Sequence, residues 1–495
     1  MKSQNLLYHI FTSRRRWLTM PATLILCALL ALGGGYLLAE FGPLIAGVGL
    51  VGLFLGLWMM RDIEIAYWVV IGVSCLLPFA SFPFSIGFTP TLLDAALGAL
   101  FLIWVLQIAA GVQRDFISTP LTLPIILFMM LAMGAFIFGL AHAPLTPYVL
   151  RHFGEVLLSV ALFFLIINIV RDADRLRRFA RILILGAFAA SILGILLYAI
   201  ASYISEDLVM DALSKLAILG YPAGPGVLRY IRDDPELAMR ATSTSVDPNV
   251  LGSLLNLTLG IAAPQLFARR PLFRRRYLVL IVGAMALCMG LTISRSALVG
   301  VGVSLTLVAA LRYRKLWLLL LAALALILIL PQTQGYVAHF VAGLQGEDLA
   351  TQMRFGEYKD AFTLIGRYPW LGVGFAGSPD IDTYIGVANV YLLIAEQMGL
   401  VGLASFLVVM AVLFVRFWRT RSLAAAAPEL EPLWWGLHAG LIGALVGGVF
   451  DHYFFNLDFH HSVTLFWIVV GLATATTDII QRQAAPATSE NSPTR

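Results

Sequence analysis

The sequence predicts an all-α fold: a polytopic integral membrane helical bundle of about fourteen transmembrane helices (12–14), with an amphipathic helix in a long outer loop. Three observations predict it. Hydrophobic residues fill 60% of the 495 positions, charged residues only 12%, and the mean hydropathy is +0.88; soluble domains carry about 25% charged residues. Apolar runs of roughly 17–24 residues recur along the chain, long enough to cross about 30 Å of hydrocarbon as helices. The connections between them are alternately basic, as the positive-inside rule requires of a multi-pass chain.

In order, the spans lie near 18–38, 42–60, 63–82, 90–111, 119–141, 149–170, 180–202, 248–268, 277–293, 296–311, 316–331, 388–415, 432–450 and 461–480. The second, ninth, tenth and eleventh are short, so two of them can merge or re-enter. The run from Trp17 leads straight into further spans without a small-residue cleavage site, which reads as a retained helix rather than a signal peptide. Basic connections at 14–16, 61, 114, 171–181, 269–276, 312–315 and 416–421 place both termini in the cytoplasm. They also account for the net charge of +5 as loops held against an anionic leaflet, with no nucleic acid required. Cys27, Cys75 and Cys288 fall inside apolar spans and read as packing residues.

This divides the chain into a cytoplasmic segment 1–17, an N-terminal bundle 18–202, an outer loop 203–247, and helices 248–331 that carry an arginine motif. A large outer loop 332–387, C-terminal helices 388–480 and a disordered cytoplasmic tail 481–495 complete it. Loops as long as the two outer ones are usually functional or disordered. In the second, Phe355, Tyr358, Phe362 and Ile365 recur at helical spacing, with Glu357, Lys359 and Asp360 on other faces. That is an amphipathic helix suited to the outer membrane interface. The run Gly372-Val-Gly-Phe-Ala-Gly377 ends it; following no strand, it is not a nucleotide-binding loop.

The charged residues carry the chemistry. Arg295, in Leu291-Thr-Ile-Ser-Arg-Ser-Ala297, is the only full charge between Arg276 and Arg312. A guanidinium at bilayer depth costs several kcal/mol, which makes it a candidate functional residue. Arg240 closes the first outer loop, seven residues before Asp247-Pro-Asn249, where Asp247 is an N-cap and Pro248 a first-turn proline. Ser294 sits where it would cap the helix that Arg295 opens. Two helix N-termini beside two arginines suit an anion, and arginine grips phosphate with paired hydrogen bonds.

Each has a plainer reading. Arg295 can snorkel, Arg240 can be a solvated charge, and Asp247 can be a cap only. Arg151 and Glu155 lie four apart and can pair along one helix face. Asp94 is an intramembrane acid without an evident partner. His142, His152, His452, His460 and His461 fall near outer helix ends; with Asp451 and Asp458 the last three would suggest a metal. No strong ligand spacing such as His-Glu-x-x-His accompanies them, so interfacial packing is the reading and no metal or other cofactor is expected. No acyl-transfer elbow, Walker loop or Cys-x-x-Cys appears.

Taken together the pattern resembles the O-antigen ligase and polymerase superfamily of bacterial membrane glycosyltransferases. The resemblance runs roughly from Arg240 to Leu413. It is carried by Arg240 through Asp-Pro-Asn249, by Thr292-Ile-Ser-Arg-Ser-Ala297, and by Arg354 opening a loop helix. Tyr368-Pro-Trp-Leu-Gly-Val-Gly-Phe375, Asn389-Val-Tyr-Leu392 and Glu396-Gln-Met-Gly-Leu-Val-Gly-Leu403 complete it. It implies a multi-pass protein of the bacterial inner membrane whose outer loops are periplasmic, with Arg240, Arg295 and a third candidate, Arg354, holding the diphosphate of an undecaprenyl-linked glycan. Asn249, Ser294, Asn389 and Tyr391 would line the substrate. Ligases of the family carry a histidine before Asn-x-Tyr; here that position is Ala388. Glu396, Asp382 or His452 would then act as base, or leaving-group stabilisation would drive the reaction.

The missing histidine favours a polymerase of lipid-linked repeat units, in surface or exopolysaccharide synthesis, over a ligase moving a finished glycan. Its partners would be the lipid-linked oligosaccharide, a glycan acceptor, the bilayer and a chain-length regulator. A transporter or lipid flippase is the reading from another class, although the halves share no motif and the two long loops are asymmetric.

Overall fold

The computed structural model describes residues 56–85, 87–113, 115–329, 334–346, 349–377 and 386–484, with scattered positions between 24 and 54. The chain divides into two compact units, residues 1–66 and 67–495; the fold below is that of the second. The protein is an all-α polytopic membrane protein. Among the described residues, eight helices are long and apolar enough to cross a membrane, and three more are apolar but shorter.

The helices follow one another as α1 (Ile63–Leu76), α2 (Leu92–Ala109), α3 (Thr122–Gly139), α4 (Pro147–Ile169) and α5 (Ala173–Tyr203). The first long loop holds a short α6 (Glu206–Ser214) and a two-residue hairpin, β1 (Arg229–Tyr230) against β2 (Met239–Arg240). Then come α7 (Pro248–Ala262), α8 (Arg275–Thr292), α9 (Arg295–Leu311) and α10 (Leu316–Ile329). The second long loop is built of α11 (Gln334–Gln345) and α12 (Leu349–Arg367), the latter containing the expected amphipathic helix. The chain closes with α13 (Val390–Ala426), α14 (Glu431–Gly447) and α15 (His460–Ala484). Every expected span from the third onward has a helix at its position. The first two, the tail from 485, and Asp382 lie largely or wholly outside the described residues.

Burial separates the helices. The spans containing α7 and α15 are 89% and 94% buried, while α2, α3 and α5 are 33% buried and turn apolar faces outward. α15 packs along α4, whereas α7 packs with α9 and α14. Without a hydrophobic drive between helices in lipid, close backbone approach supplies the attraction. A Cβ on Gly260 would stand 2.6 Å from Gly440 Cα, so only glycine fits where α7 crosses α14. Asn256 Nδ2 adds a hydrogen bond to Gly443 O at 2.8 Å.

The expected continuous span at 388–415 is broken. Gly399 turns α13 with φ 69°, ψ −178°, and a Cβ there would meet Trp370 O at 2.1 Å. Interrupting a helix frees backbone groups that lipid cannot satisfy. The segment 369–374 satisfies them: Val373 N donates to Glu396 O (2.8 Å), Gly374 N to Gln397 O (3.0 Å), and Leu400 N to Pro369 O (2.7 Å). The glycine run 372–377 is therefore a splint on a broken helix. Asp94 also departs from expectation, for it has partners. Its carboxylate closes a capping box with Thr91 at the start of α2, and Glu155 of α4 is its neighbour.

Candidate functional site

Arg240 is drawn into the protein by the strand that carries it. Ala241 N donates to Leu291 O at 2.9 Å, stitching the loop to the end of α8. From there Arg240 Nε donates to Thr292 O (2.9 Å) and its Nη2 to Asn249 Oδ1 (2.7 Å). Both acceptors are uncharged. Desolvation draws the guanidinium below the usual arginine pKa, and the like charge of Arg295 acts the same way, against the pull of Asp247, Tyr453 and Asp451. Arg240 and Arg295 therefore act on one electrostatic neighbourhood. Asp247 caps α7 as expected, accepting from Asn249 N (2.7 Å) and Val250 N (3.4 Å), with Pro248 in the first turn.

Arg295 is the first residue of α9. Ser294 holds the N-cap position, but its hydroxyl makes no capping bond. It lies 3.3 Å from Ser296 Oγ instead, leaving the first-turn N–H groups uncapped by that side chain. The turn into α9 is strained. Ile293 has φ 54°, and Ser243 and Val246 in the Arg240 loop have φ 53° and 62°. Left-handed backbone at a β-branched residue costs about 1–3 kcal/mol and persists where surrounding structure imposes it, commonly at functional sites.

Asp451, which the sequence reading set beside the histidines, belongs here. It is buried, accepts from Ser296 Oγ, and stands 3.8 Å from Arg354 Nη2. Burial pushes its carboxyl above the usual aspartate range, while Arg354, Ser296 and His452 pull it back. Tyr453 is buried beside it and hydrogen-bonds Asn249. Four segments far apart in sequence thus meet: Arg240 with Asn249, Arg295 with Ser296, Arg354, and Asp451. Behind Asp451 a small cavity is lined by Ser253, Asn256, Ser296 and Tyr453.

Around Ala388 the backbone is held by Glu357 and His452. Ala388 N donates to Glu357 Oε2 at 3.0 Å. His452 Nδ1 lies 3.0 Å from Val387 O; a carbonyl only accepts, so Nδ1 carries a proton, and Nε2 is the accepting nitrogen of the neutral ring. An imidazole thus stands beside Ala388, delivered by the loop before α15. Asn389 and Tyr391 are engaged in the fold. Asn389 caps α13, accepting from Tyr391 N (2.9 Å) and Leu392 N (3.0 Å) and donating to Val449 O (2.9 Å), and Tyr391 Oη donates to Leu445 O (2.8 Å). Glu396 is fully buried two turns into α13, its carboxylate against the N–H groups of Gly386 and Val387.

The remaining histidines do not join this site. Asp458 bonds Tyr148 and His461 stacks edge-on to Phe79, so Asp451, Asp458 and His452 form no common set with His460 and His461. Arg151 and Glu155 do pair, Nε to Oε1 at 3.1 Å.

Residues 280–407, about a quarter of the chain, match the family model described as O-antigen ligase. The match supports membership of the O-antigen ligase superfamily, the family that the motifs resemble. It takes in Arg295, Arg354, Glu357 and Asn389, while Arg240, Asn249, Asp451 and His452 lie outside it. No curated protein matches the chain. With the all-α membrane fold, the match supports membrane glycosyl transfer of the O-antigen ligase or polymerase type, from a lipid-linked oligosaccharide to a glycan acceptor.

Proposed function

We propose that this protein polymerises undecaprenyl diphosphate-linked oligosaccharide repeat units, with its site on the outer face of the bacterial inner membrane. The observation that carries the reading is the meeting of Arg240, Arg295 and Arg354 at two helix N-termini, with Arg240 held by neutral oxygens. Its hydrogen bonds orient the guanidinium without cancelling its charge. An acceptor hydroxyl attacks the anomeric carbon of the donor, the bond from that carbon to the phosphate oxygen breaks, and lipid diphosphate leaves with the electron pair. Negative charge grows on the leaving phosphate, and preorganised guanidinium groups in a dry site stabilise it by a few kcal/mol each. The hydroxyl proton passes to His452 Nε2, which takes the part that ligases of the family give to the histidine at Ala388. Glu357 holds the Ala388 backbone. Glu396 anchors the loop, and Asn389 and Tyr391 fix the start of α13.

The test is Arg295→Ala in a strain lacking the native gene. Loss of long glycan with unchanged membrane levels of the protein is expected; a wild-type length distribution would exclude the mechanism. An imidazole supplied by His452 also fits a ligase, and the deletion strain separates the two. Single lipid-linked repeat units accumulate if the protein is a polymerase, and lipid-linked polymer if it is a ligase.

A further inference from the structure

Near the starts of α4 and α15, buried groups that the glycosyl-transfer site does not use are gathered in one place. His152 and Glu155, three apart on one face of α4, meet His460 at the start of α15. All three are buried: 6%, 3% and 3% exposed. One ligating atom from each lies within 4.8 Å of the others. His152 Nδ1 is 3.2 Å and His460 Nδ1 3.4 Å from Glu155 Oε2. Neither ring nitrogen of His460 makes a hydrogen bond among the described residues. A buried imidazole with no bond to either nitrogen is costly, and such a group calls for an explanation.

From these groups we infer a binding site for a divalent transition metal of the zinc class at His152, Glu155 and His460. Tetrahedral coordination at 2.0–2.2 Å places neighbouring ligand atoms about 3.4 Å apart, which the two contacts to Glu155 already approach. Two imidazoles and a carboxylate select a borderline metal over magnesium or calcium, which prefer all-oxygen shells. Asp94, held by its capping box with Thr91, stands beside Glu155 and adds negative charge next to a bound cation. One turn deeper, Ser159 Oγ and Thr464 Oγ1 lie 2.8 Å apart and hold α4 against α15, so the ligand frame is set before the metal arrives.

Arg151 marks the metal-free state. Its Nη2 donates to His152 Nε2 at 2.7 Å, so the proton sits on Nδ1, which faces Leu457 O at 3.0 Å. Metal binding through Nδ1 moves that proton to Nε2 and turns the partly exposed guanidinium aside. The ion would clip the ends of α4 and α15 together; it takes no part in glycosyl transfer.

The test uses the full chain, purified in detergent without a histidine tag, stripped with chelator and titrated with Co²⁺ and Zn²⁺. One equivalent of Co²⁺ with visible absorption of a nitrogen-oxygen site is expected, and a Tm raised by a few degrees by Zn²⁺ but not by Mg²⁺. His460→Ala and Glu155→Gln should lose the absorption and the shift, while Arg151→Gln binds at least as tightly. Arg295→Ala, inactive in transfer, should bind as wild type does, which separates this site from the other. Wild-type protein showing no Tm shift and no Co²⁺ spectrum overturns the inference, whatever the variants do. So does a spectrum that survives in a folded His460→Ala.

Discussion

Arg295 and Arg312 bracket one helix, α9, about 25 Å apart, and the arginines near its two ends differ in what holds them. At the Arg312 end, cations meet carboxylates. Arg312 grips Glu431 with Nε at 2.6 Å and Nη2 at 2.8 Å, Arg416 meets Asp478 at 2.5 Å, and Arg177 meets Glu429 at 3.1 Å. Arg312 is correspondingly raised in pKa, first by its hydrogen bond to Glu431. At the Arg295 end, Arg240 donates to a carbonyl and an amide, is lowered by desolvation, and Arg354 stands 3.8 Å from Asp451. Matched arginines serve stability and topology. Arg240, oriented by neutral acceptors, keeps its charge for a ligand.

The largest expected effect tests that contrast directly. Arg240→Ala or Arg295→Ala should cut transfer about 10²–10³-fold in a membrane assay with lipid-linked donor, as loss of one preorganised charge donor does. Lysine at either position should recover only part, since it keeps the charge but not the paired geometry. Next is His452→Ala, with a loss of about 10²-fold if the imidazole takes the proton. Ala388→His in that background should restore some activity, and a double variant as inactive as His452→Ala would argue against the shared position.

Asp451→Asn should be smaller and splits activity from stability. Because burial raises the Asp451 pKa in the fold, folding favours its protonated form. The resulting stability is full below the unfolded-state value and is lost as pH rises through the folded one. The Asn variant should therefore show a Tm that falls less from pH 4 to pH 7 than wild type, with reduced transfer from a loosened Arg354 and Ser296. A steeper fall would contradict the assignment. Smallest in activity is Arg312→Ala. It should leave turnover per folded molecule unchanged and cost about 1–2 kcal/mol in denaturation, since Glu431 is left buried and the half-exposed arginine is screened by solvent. A comparable loss of transfer there would erase the difference between the two ends.

Much of this was legible in the chain because hydrophobic length and helix-start chemistry are local. The helices from Ile63 onward fall where the apolar runs put them, and Asp247-Pro248 opens α7 as read. Arg295 stood out because charge is rare there, and Arg240 because it closes the outer loop before Asp247-Pro248. The rest was not legible, since nothing local signals it. Ser294 holds the cap position but turns its hydroxyl to Ser296. Gly399 breaks α13 because a segment near residue 370 is at hand to take the freed carbonyls. Glu396, read as a candidate base, is fully buried, and Asp94 looked unpartnered until α4 was packed against it.

The sequence by itself determined the class: a chain this apolar, with arginines confined to a few positions, must span a membrane, and lipid lets its backbone satisfy itself only as helices. What only the tertiary structure decided is which charges share a space. Asp451 lies 155 residues from Ser296 and His452 65 from Val387, and no periodicity links them. Helix packing brings them together because close contact between glycine-lined faces fixes one arrangement, and the electrostatics of the site follow from that arrangement.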